Sequence, residues 1–329
     1  MNSSVWTLHY PSLPAASALL PIMIAIAILI NNVLVLMTFK KMTGLQIQHY
    51  FMIGLTIADL MTVLPVSVTS FILLSRKIWL TNHLCAMLGI SLNVAIEMTT
   101  LMHTAMSAEK CLAISSPLRH RSLSHSKWFR RSTNMSIAFS FLFPAIINFL
   151  LFFANLVRFI FSPAITTCVT DQSNNIISTL CIGVMFTFLP MIMQIITQVY
   201  MLVKVKKQRG VTRKQTIKAI KTVVLTVGVY WLFWLPVACQ IGVVLFGSLP
   251  PGWYRFLALQ IVQANSATSY IIYYTSLPNF KLSSDRLFGK RTRIIHVQQF
   301  NASDQNQTAI TSIRIVPRSA LVAPVMVSM

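Results

Sequence analysis

Acidic residues are scarce in this chain: six Asp and Glu stand against 27 Lys and Arg in 329 residues, for a formal charge of +21. Charged residues of both signs make up only 10%, whereas a soluble domain carries about 25% because its surface must face water. So small a charged share excludes a water-soluble globular protein and calls for lipid as the main solvent. Chemistry is lacking as well. The sequence holds no His-Glu metal motif, no nucleophile and base pair and no pair of catalytic carboxylates, so no enzyme and no catalytic cofactor is expected. Five cysteines, Cys85, Cys111, Cys168, Cys181 and Cys239, have no metal-ligand spacing and are too few for a disulfide framework. Internal repeats and paired broken helices, the marks of a secondary transporter, are missing too. No small-xxx-small face stands out, which leaves dimerisation open.

Apolar residues are what the chain has in plenty, at 55%, with 20 Phe and 17 Met. Roughly 20 apolar residues cross the ~30 Å hydrocarbon core of a bilayer. Runs of that length fall at about 16–39, 50–74, 85–114, 133–157, 176–203, 219–246 and 256–277. The predicted fold is therefore an all-α membrane protein, a seven-transmembrane helix bundle over 16–277 after a short N-terminal segment, 1–15. The first run is too long for the apolar stretch of a signal peptide and no basic segment precedes it, so the N-terminus is expected to be retained and exported.

Lys and Arg beside membrane helices collect on the cytoplasmic side. All but four of the 27, Arg76, Lys77, Arg158 and Arg255, fall on one side of the bundle. Lys40 and Lys41 follow span one, Arg119 to Arg131 follow span three, Lys204 to Lys221 join spans five and six, and Lys281 to Arg293 follow span seven. An odd number of spans then puts the N-terminus outside and the C-terminus in the cytosol of a multi-pass plasma-membrane protein. The charge reads as topology plus attraction to anionic lipid, not as nucleic-acid binding. Asn2-Ser3-Ser4 is an exported sequon and makes Asn2 a glycosylation candidate, whereas the sequons at Asn301 and Asn306 fall in the cytosolic tail and should stay bare. Cys85 at the start of span three and Cys168 before span five share the outer, oxidising side, where a bridge would staple that connection to span three. The other three cysteines fall within predicted helices and read as small hydrophobes.

An ionisable side chain in lipid costs at least ~2.5 kcal/mol on insertion scales, so each one retained is a functional candidate. Asp59 in span two, Asn31 and Asn32 in span one, Thr99 in span three and Asn265, Ser266 and Ser269 in span seven are expected to form one buried polar cluster. Its carboxylate either works as a switch, holding a sodium ion or taking up a proton, or belongs to a plain interhelical network. Glu97 lies four residues after Asn93 and so shares its helix face. It either meets a polar or cationic ligand or ties span three to spans four or five. His103 reads as structural. Glu109 and Lys110 close span three at the cytosolic interface, where a docking partner would separate them. Pro190 and Pro236 each remove a backbone hydrogen bond and mark hinges in spans five and six. Trp234 is the residue of the stretch Tyr230 to Pro236 singled out for ligand contact.

Across the chain up to about Arg293 these residues resemble the rhodopsin-like G-protein-coupled receptor family. Asn31-Asn32-Val33-Leu34-Val35 resembles its GNxLV, Leu55 to Asp59 resembles its LxxAD, and Trp79 and Cys85 also match. Glu109-Lys110-Cys111 stands in the place of DRY, and Pro117-Leu118-Arg119-His120 resembles the PLRY that follows. Phe233-Trp234-Leu235-Pro236 resembles CWxP, with Trp234 as the toggle tryptophan. Ser269 to Tyr273, followed by Pro278-Asn279-Phe280, resembles NPxxY and the start of a short cytosolic amphipathic helix, 278–293, with a flexible tail at 294–329. The departures are specific. Lys110 lacks the planar donor fork of an arginine, the NPxxY equivalent has lost its Pro and carries Ser269 for its Asn, span four lacks the usual Trp, and Gln198 replaces a Tyr in span five.

The resemblance implies a receptor that binds an extracellular small molecule between the outer halves of spans three, five, six and seven. Leu92, Asn93, Ile96, Glu97, Trp234, Ala238, Ile241 and Gln263 are the implied contacts, and a heterotrimeric G protein is the implied partner at Glu109, Lys110 and Arg119. Leu92 occupies the position of the aspartate of amine receptors, which argues against a biogenic amine. The phrases Ala108 to Ile114, Pro117 to His120 and Lys218 to Leu225 are similar to odorant receptors of the kind expanded in fishes. An odorant-like ligand is thus expected ahead of a peptide or lipid ligand, a decoy receptor or a transporter.

Overall fold

The computed structural model describes residues 14–43, 45–75, 81–116, 120, 122, 126–163, 165–170, 183–207, 210–245 and 250–289, with the backbone alone at 15, 210–216, 218–220, 222, 241–242 and 244–245. Asn2, Trp79, Arg119, Cys181, Asn301, Asn306 and the whole of 294–329 lie outside the described residues, as does the side chain of Ile241.

Span one is α1 (Leu19–Lys41), reached through a 3-10 turn at Ala15–Ala18. Span two consists of α2 (Ile47–Met61) and α3 (Val63–Ser75). Spans three and four are α4 (Asn82–Ser115) and α5 (Lys127–Phe153). An antiparallel hairpin, β1 (Phe159–Ser162) and β2 (Thr167–Thr170), lies between span four and span five. Span five begins as a π-helical turn at Val184–Phe188 and continues as α6 (Leu189–Lys207). Span six is α7 (Gly210–Leu245). Span seven is α8 (Gly252–Ala264), a 3-10 turn at Asn265–Ala267 and α9 (Ser269–Ser276), and α10 (Pro278–Leu287) follows it.

Six of these helical segments are long and apolar enough to cross a membrane among the described residues. The 3-10 turn divides the seventh span, so neither half reaches that length alone. Together they form a seven-helix bundle. Its outside is apolar: Leu19, Met23, Ile26, Leu29, Ile30, Val33 and Met37 all face outward from α1. Its inside is partly polar, with Asn32, Asp59, Glu97, Thr100, His103, Gln194 and Gln263 buried. Contiguous exposed apolar surface of that extent needs lipid to cover it, which makes this a multi-pass membrane protein.

Helix ends and breaks have local causes. The Ser126 hydroxyl accepts the Phe129 N–H at 3.1 Å, an N-cap that starts α5 six residues before its apolar run. Pro65 has no N–H and its ring crowds the carbonyl four residues back, so α2 ends at Met61 and the Thr62 hydroxyl donates to the Asp59 carbonyl at 2.7 Å. The π-helical turn lies immediately before Pro190, whose missing donor is the obvious cause. Tyr274 donates to the Asp285 carboxylate at 3.0 Å, which fastens α10 to span seven.

The hairpin sits on span three at a glycine. A Cβ on Gly89 would lie 2.2 Å from the Phe159 ring, and a ring lodged between two backbones has little room to move. Gly89→Ala is expected to destabilise the protein by about 1–3 kcal/mol, read as a lower Tm, with Phe159→Leu restoring part of the loss. An unchanged Tm would show that the hairpin does not rest on this helix.

Candidate functional site

Leu92, Ile96 and Thr99 follow each other at four and three residues and share one face of α4. Facing them are Tyr230 and Trp234 of α7, Val262, Gln263, Asn265 and Ser266 of span seven, and Thr62 of span two. They enclose a cavity of about 20 Å³, little more than the space one water molecule occupies. Gln263 is 3% exposed, and neither atom of its amide has a hydrogen-bond partner among the described residues.

Below the cavity the aromatic rings form a column. The Trp234 and Tyr230 ring centroids are 5.7 Å apart, and those of Tyr230 and His103 are 4.6 Å apart. The Tyr230 hydroxyl is 2.7 Å from the Thr100 hydroxyl. Trp234 lies two residues before Pro236, which is inside α7. Bending at that proline would therefore pull directly on the column.

Leu92, Ile96, Trp234 and Gln263 are the expected ligand contacts that line this cavity. Asn93 does not line it, Ala238 is exposed, and nothing is described of the Ile241 side chain. Glu97 faces span four, where the Asn148 amide donates to its Oε2 at 2.8 Å. Burial of an acid favours the partner that can hydrogen-bond it inside the bundle, so the second of the two sequence readings of Glu97 describes its geometry. The fourth wall also differs from expectation: Thr62 of span two supplies it. Span five is drawn to span three lower down, where Gln194 donates to the Thr100 carbonyl at 3.1 Å and the Thr104 hydroxyl at 3.0 Å. Gln198 continues that seam by donating to Ser107 at 3.4 Å.

Asn148→Leu is expected to cost about 1–3 kcal/mol because it leaves a buried acid without its donor. The Glu97→Leu and Asn148→Leu double variant should recover most of that loss. A double-mutant cycle on Tm with no coupling would refute the pairing.

Deeper in the bundle the residues of the predicted polar cluster come close together. Ser269 donates to the Asp59 carboxylate at 3.1 Å, and Asn32 donates to the Ser266 carbonyl at 2.7 Å and to the Ile28 carbonyl at 2.9 Å. The 3-10 turn at Asn265–Ala267 presents that carbonyl to span one. Asp59, His103, Asn265 and Ser269 line a second cavity of about 10 Å³. Asp59 Oδ1 and both ring nitrogens of His103 have no hydrogen-bond partner among the described residues. Thr99 lines the upper cavity, and Asn31 bonds only within its own helix. Tyr273 is buried against Phe39 and Phe280, with centroids 6.0 Å and 5.8 Å away.

At the opposite end of α4 from Cys85, Glu109 meets the side chains of Lys110 and His120. Its Oε1 is 2.9 Å from His120 Nε2 and its Oε2 is 3.3 Å from Lys110 Nζ. At the Cys85 end, a disulfide joins Cys85 to Cys168 across 83 residues.

Sequence reasoning missed Asn148, Gln194, Thr100 and Tyr230 as bundle contacts and His120 as a partner of Glu109. Asn148 and Gln194 are polar residues in apolar runs and carried the same signal as Asp59. Tyr230 was hidden in an aromatic stretch, and nothing in the sequence pointed His120 toward Glu109.

Over residues 31–275 the sequence matches the family described as 7 transmembrane receptor (rhodopsin family). The chain belongs to that family. The receptor is similar in fold to squid rhodopsin in its crystal structure, with a TM-score of 0.71, 17% sequence identity, and coverage of 88% of this chain and 91% of that chain. At that identity the likeness shows the fold alone. No curated protein sequence matches the chain. Membership makes it a receptor and not an enzyme.

Proposed function

We propose that the receptor senses a small extracellular molecule, odorant-like in size, and activates a heterotrimeric G protein. The observation that carries this is the continuous path from the cavity at Leu92, Ile96 and Gln263, through Trp234 and Tyr230, to His103 and the polar cluster around Asp59. A ligand entering so small a cavity must displace Trp234, and that displacement bends span six at Pro236 and opens the end of the bundle where Glu109 and Lys110 lie. In this reading the basic ends of spans three, five and six, with Arg119, face the cytosol and the G protein. The hairpin, the disulfide and a glycan on Asn2 face outward at the plasma membrane. Asp59, Ser269 and Asn265 carry the oxygens that would hold a sodium ion, with His103 on the cavity wall beside them. Such an ion would supply only positive charge that steadies the resting bundle.

A decoy receptor is the second reading. It is favoured by Lys110 in place of an arginine, because Lys110 and His120 share the Glu109 carboxylate and the bidentate fork is absent. Cells expressing the receptor with a broad set of G-protein alpha subunits separate the two when screened against volatile organics, steroids, bile acids and amino acids. The expected result is a ligand-dependent signal that Trp234→Ala abolishes. Silence from a receptor shown to be on the cell surface would leave the decoy.

A further inference from the structure

We infer that the ligand is a compact, uncharged molecule whose single polar head both donates and accepts a hydrogen bond, held by the Gln263 side-chain amide. The inference rests on the receptor reading above and adds the chemical class of what the cavity takes.

Charge is settled by what lines the cavity. Leu92, Ile96, Val262 and Trp234 give it apolar surface on facing walls, and among the described residues no Lys, Arg, Asp or Glu lines it. The acid nearest in sequence, Glu97, is committed to Asn148 in span four. An ammonium or a carboxylate would be stripped of water there with no counter-charge on the cavity wall, which disfavours either ion. Neutral molecules do not meet that barrier.

Polarity is settled by Gln263. Its amide presents a donor and an acceptor, and both are buried without a partner. A buried donor or acceptor left without a partner destabilises the empty site until something bonds it. Gln260, three residues earlier on the same face of α8, is also buried with both amide atoms unpartnered. A hydroxyl answers donor and acceptor together, and so does a primary amide. The hydroxyls of Thr62, Thr99 and Ser266 line the remaining polar wall. A hydrocarbon would leave the amide bare, and an ether or ketone would satisfy only its donor.

The test uses purified full-length receptor and one six-carbon series that varies only the head: hexanol, hexanamide, hexylamine, hexanoate and hexane. Ligand-induced Tm shifts report binding and nucleotide exchange on added G protein reports signalling. Hexanol and hexanamide are expected to raise Tm, with hexane, hexylamine and hexanoate inactive. Gln263→Leu should weaken hexanol binding roughly 10- to 100-fold, the loss that follows from leaving the head unpaired, while the ligand-free Tm stays level or rises. Gln263→Glu should transfer the preference to hexylamine. Preference for either charged head, an unchanged hexanol response in Gln263→Leu, or no binding by any of the five would overturn the inference. Binding in the expected order without nucleotide exchange would uphold the pocket chemistry and refute the signalling reading. A charged ligand that drives exchange would do the reverse.

Discussion

Removing the disulfide, with both Cys85 and Cys168 changed to Ser, is expected to cost about 2–5 kcal/mol and to strip most of the receptor from the cell surface. The bridge joins residues 83 apart in sequence and encloses span three from Cys85 onward and all of span four. Cys168 sits in β2 opposite Phe161. The bond therefore fixes the hairpin to the start of α4, and the same hairpin places Phe159 against Gly89 one helical turn further along. Without the bridge the hairpin must be held by that contact, by the packing of Val157 and Phe159 on Ala86, Ile90 and Val94, and by Ile72 and Leu88. Surface labelling and the Tm of purified protein give the readout. A reductant should lower the wild-type Tm and leave the double variant unmoved. Equal Tm values for the two proteins would mean that the hairpin docks without the bond.

Tyr230→Ala is the second large effect, at about 3–5 kcal/mol for deletion of a fully buried ring. Tyr230 packs against His103 and Trp234 and bonds Thr100, so its loss opens a void where spans three and six cross. Tyr230→Phe isolates one part of this. It keeps both ring contacts and gives up only the hydroxyl bond, about 0.5–1.5 kcal/mol. Because that bond ties span six to span three, Tyr230→Phe should raise ligand-independent nucleotide exchange while lowering Tm only slightly. If Tyr230→Phe lowers basal exchange instead, the Thr100 contact belongs to the signalling conformation and the direction assigned to span six is wrong.

Much of the fold was legible because lipid imposes coarse rules. A run such as 16–39 has to be a helix in hydrocarbon, since its backbone groups can find partners only within itself, and α1 spans that run. The breaks were harder to see. Span seven reads as one run over 256–277, yet it unwinds at Asn265–Ala267 because Asn32 captures the Ser266 carbonyl, a pairing across 234 residues that no local pattern announces. The extension of span six back to Gly210 was equally hidden, since a helix can continue into water on charged residues after its apolar part has ended.

The candidate site was legible where one residue type has one use in lipid. Asp59 had to find hydroxyls and amides, and it meets Ser269. Glu97 had two partners of equal merit in the sequence, and only the placement of Asn148 on the facing side of α5 decided between them. Gln263 was named as a ligand contact, but the detail that gives it chemical meaning, an amide with both atoms unpaired, exists only in three dimensions.

The central claim is that ligand contact at Trp234 is transmitted to a G protein through span six. Its most direct measurement is nucleotide exchange by purified receptor in bilayers of defined lipid, with a single added heterotrimer and the best ligand from the cell screen. The expected result is exchange that rises with ligand in the wild type and stays at the basal rate in Trp234→Ala, compared at equal amounts of folded receptor. Ligand binding with no rise in exchange across all G-protein classes, or a response that survives in Trp234→Ala, would contradict it.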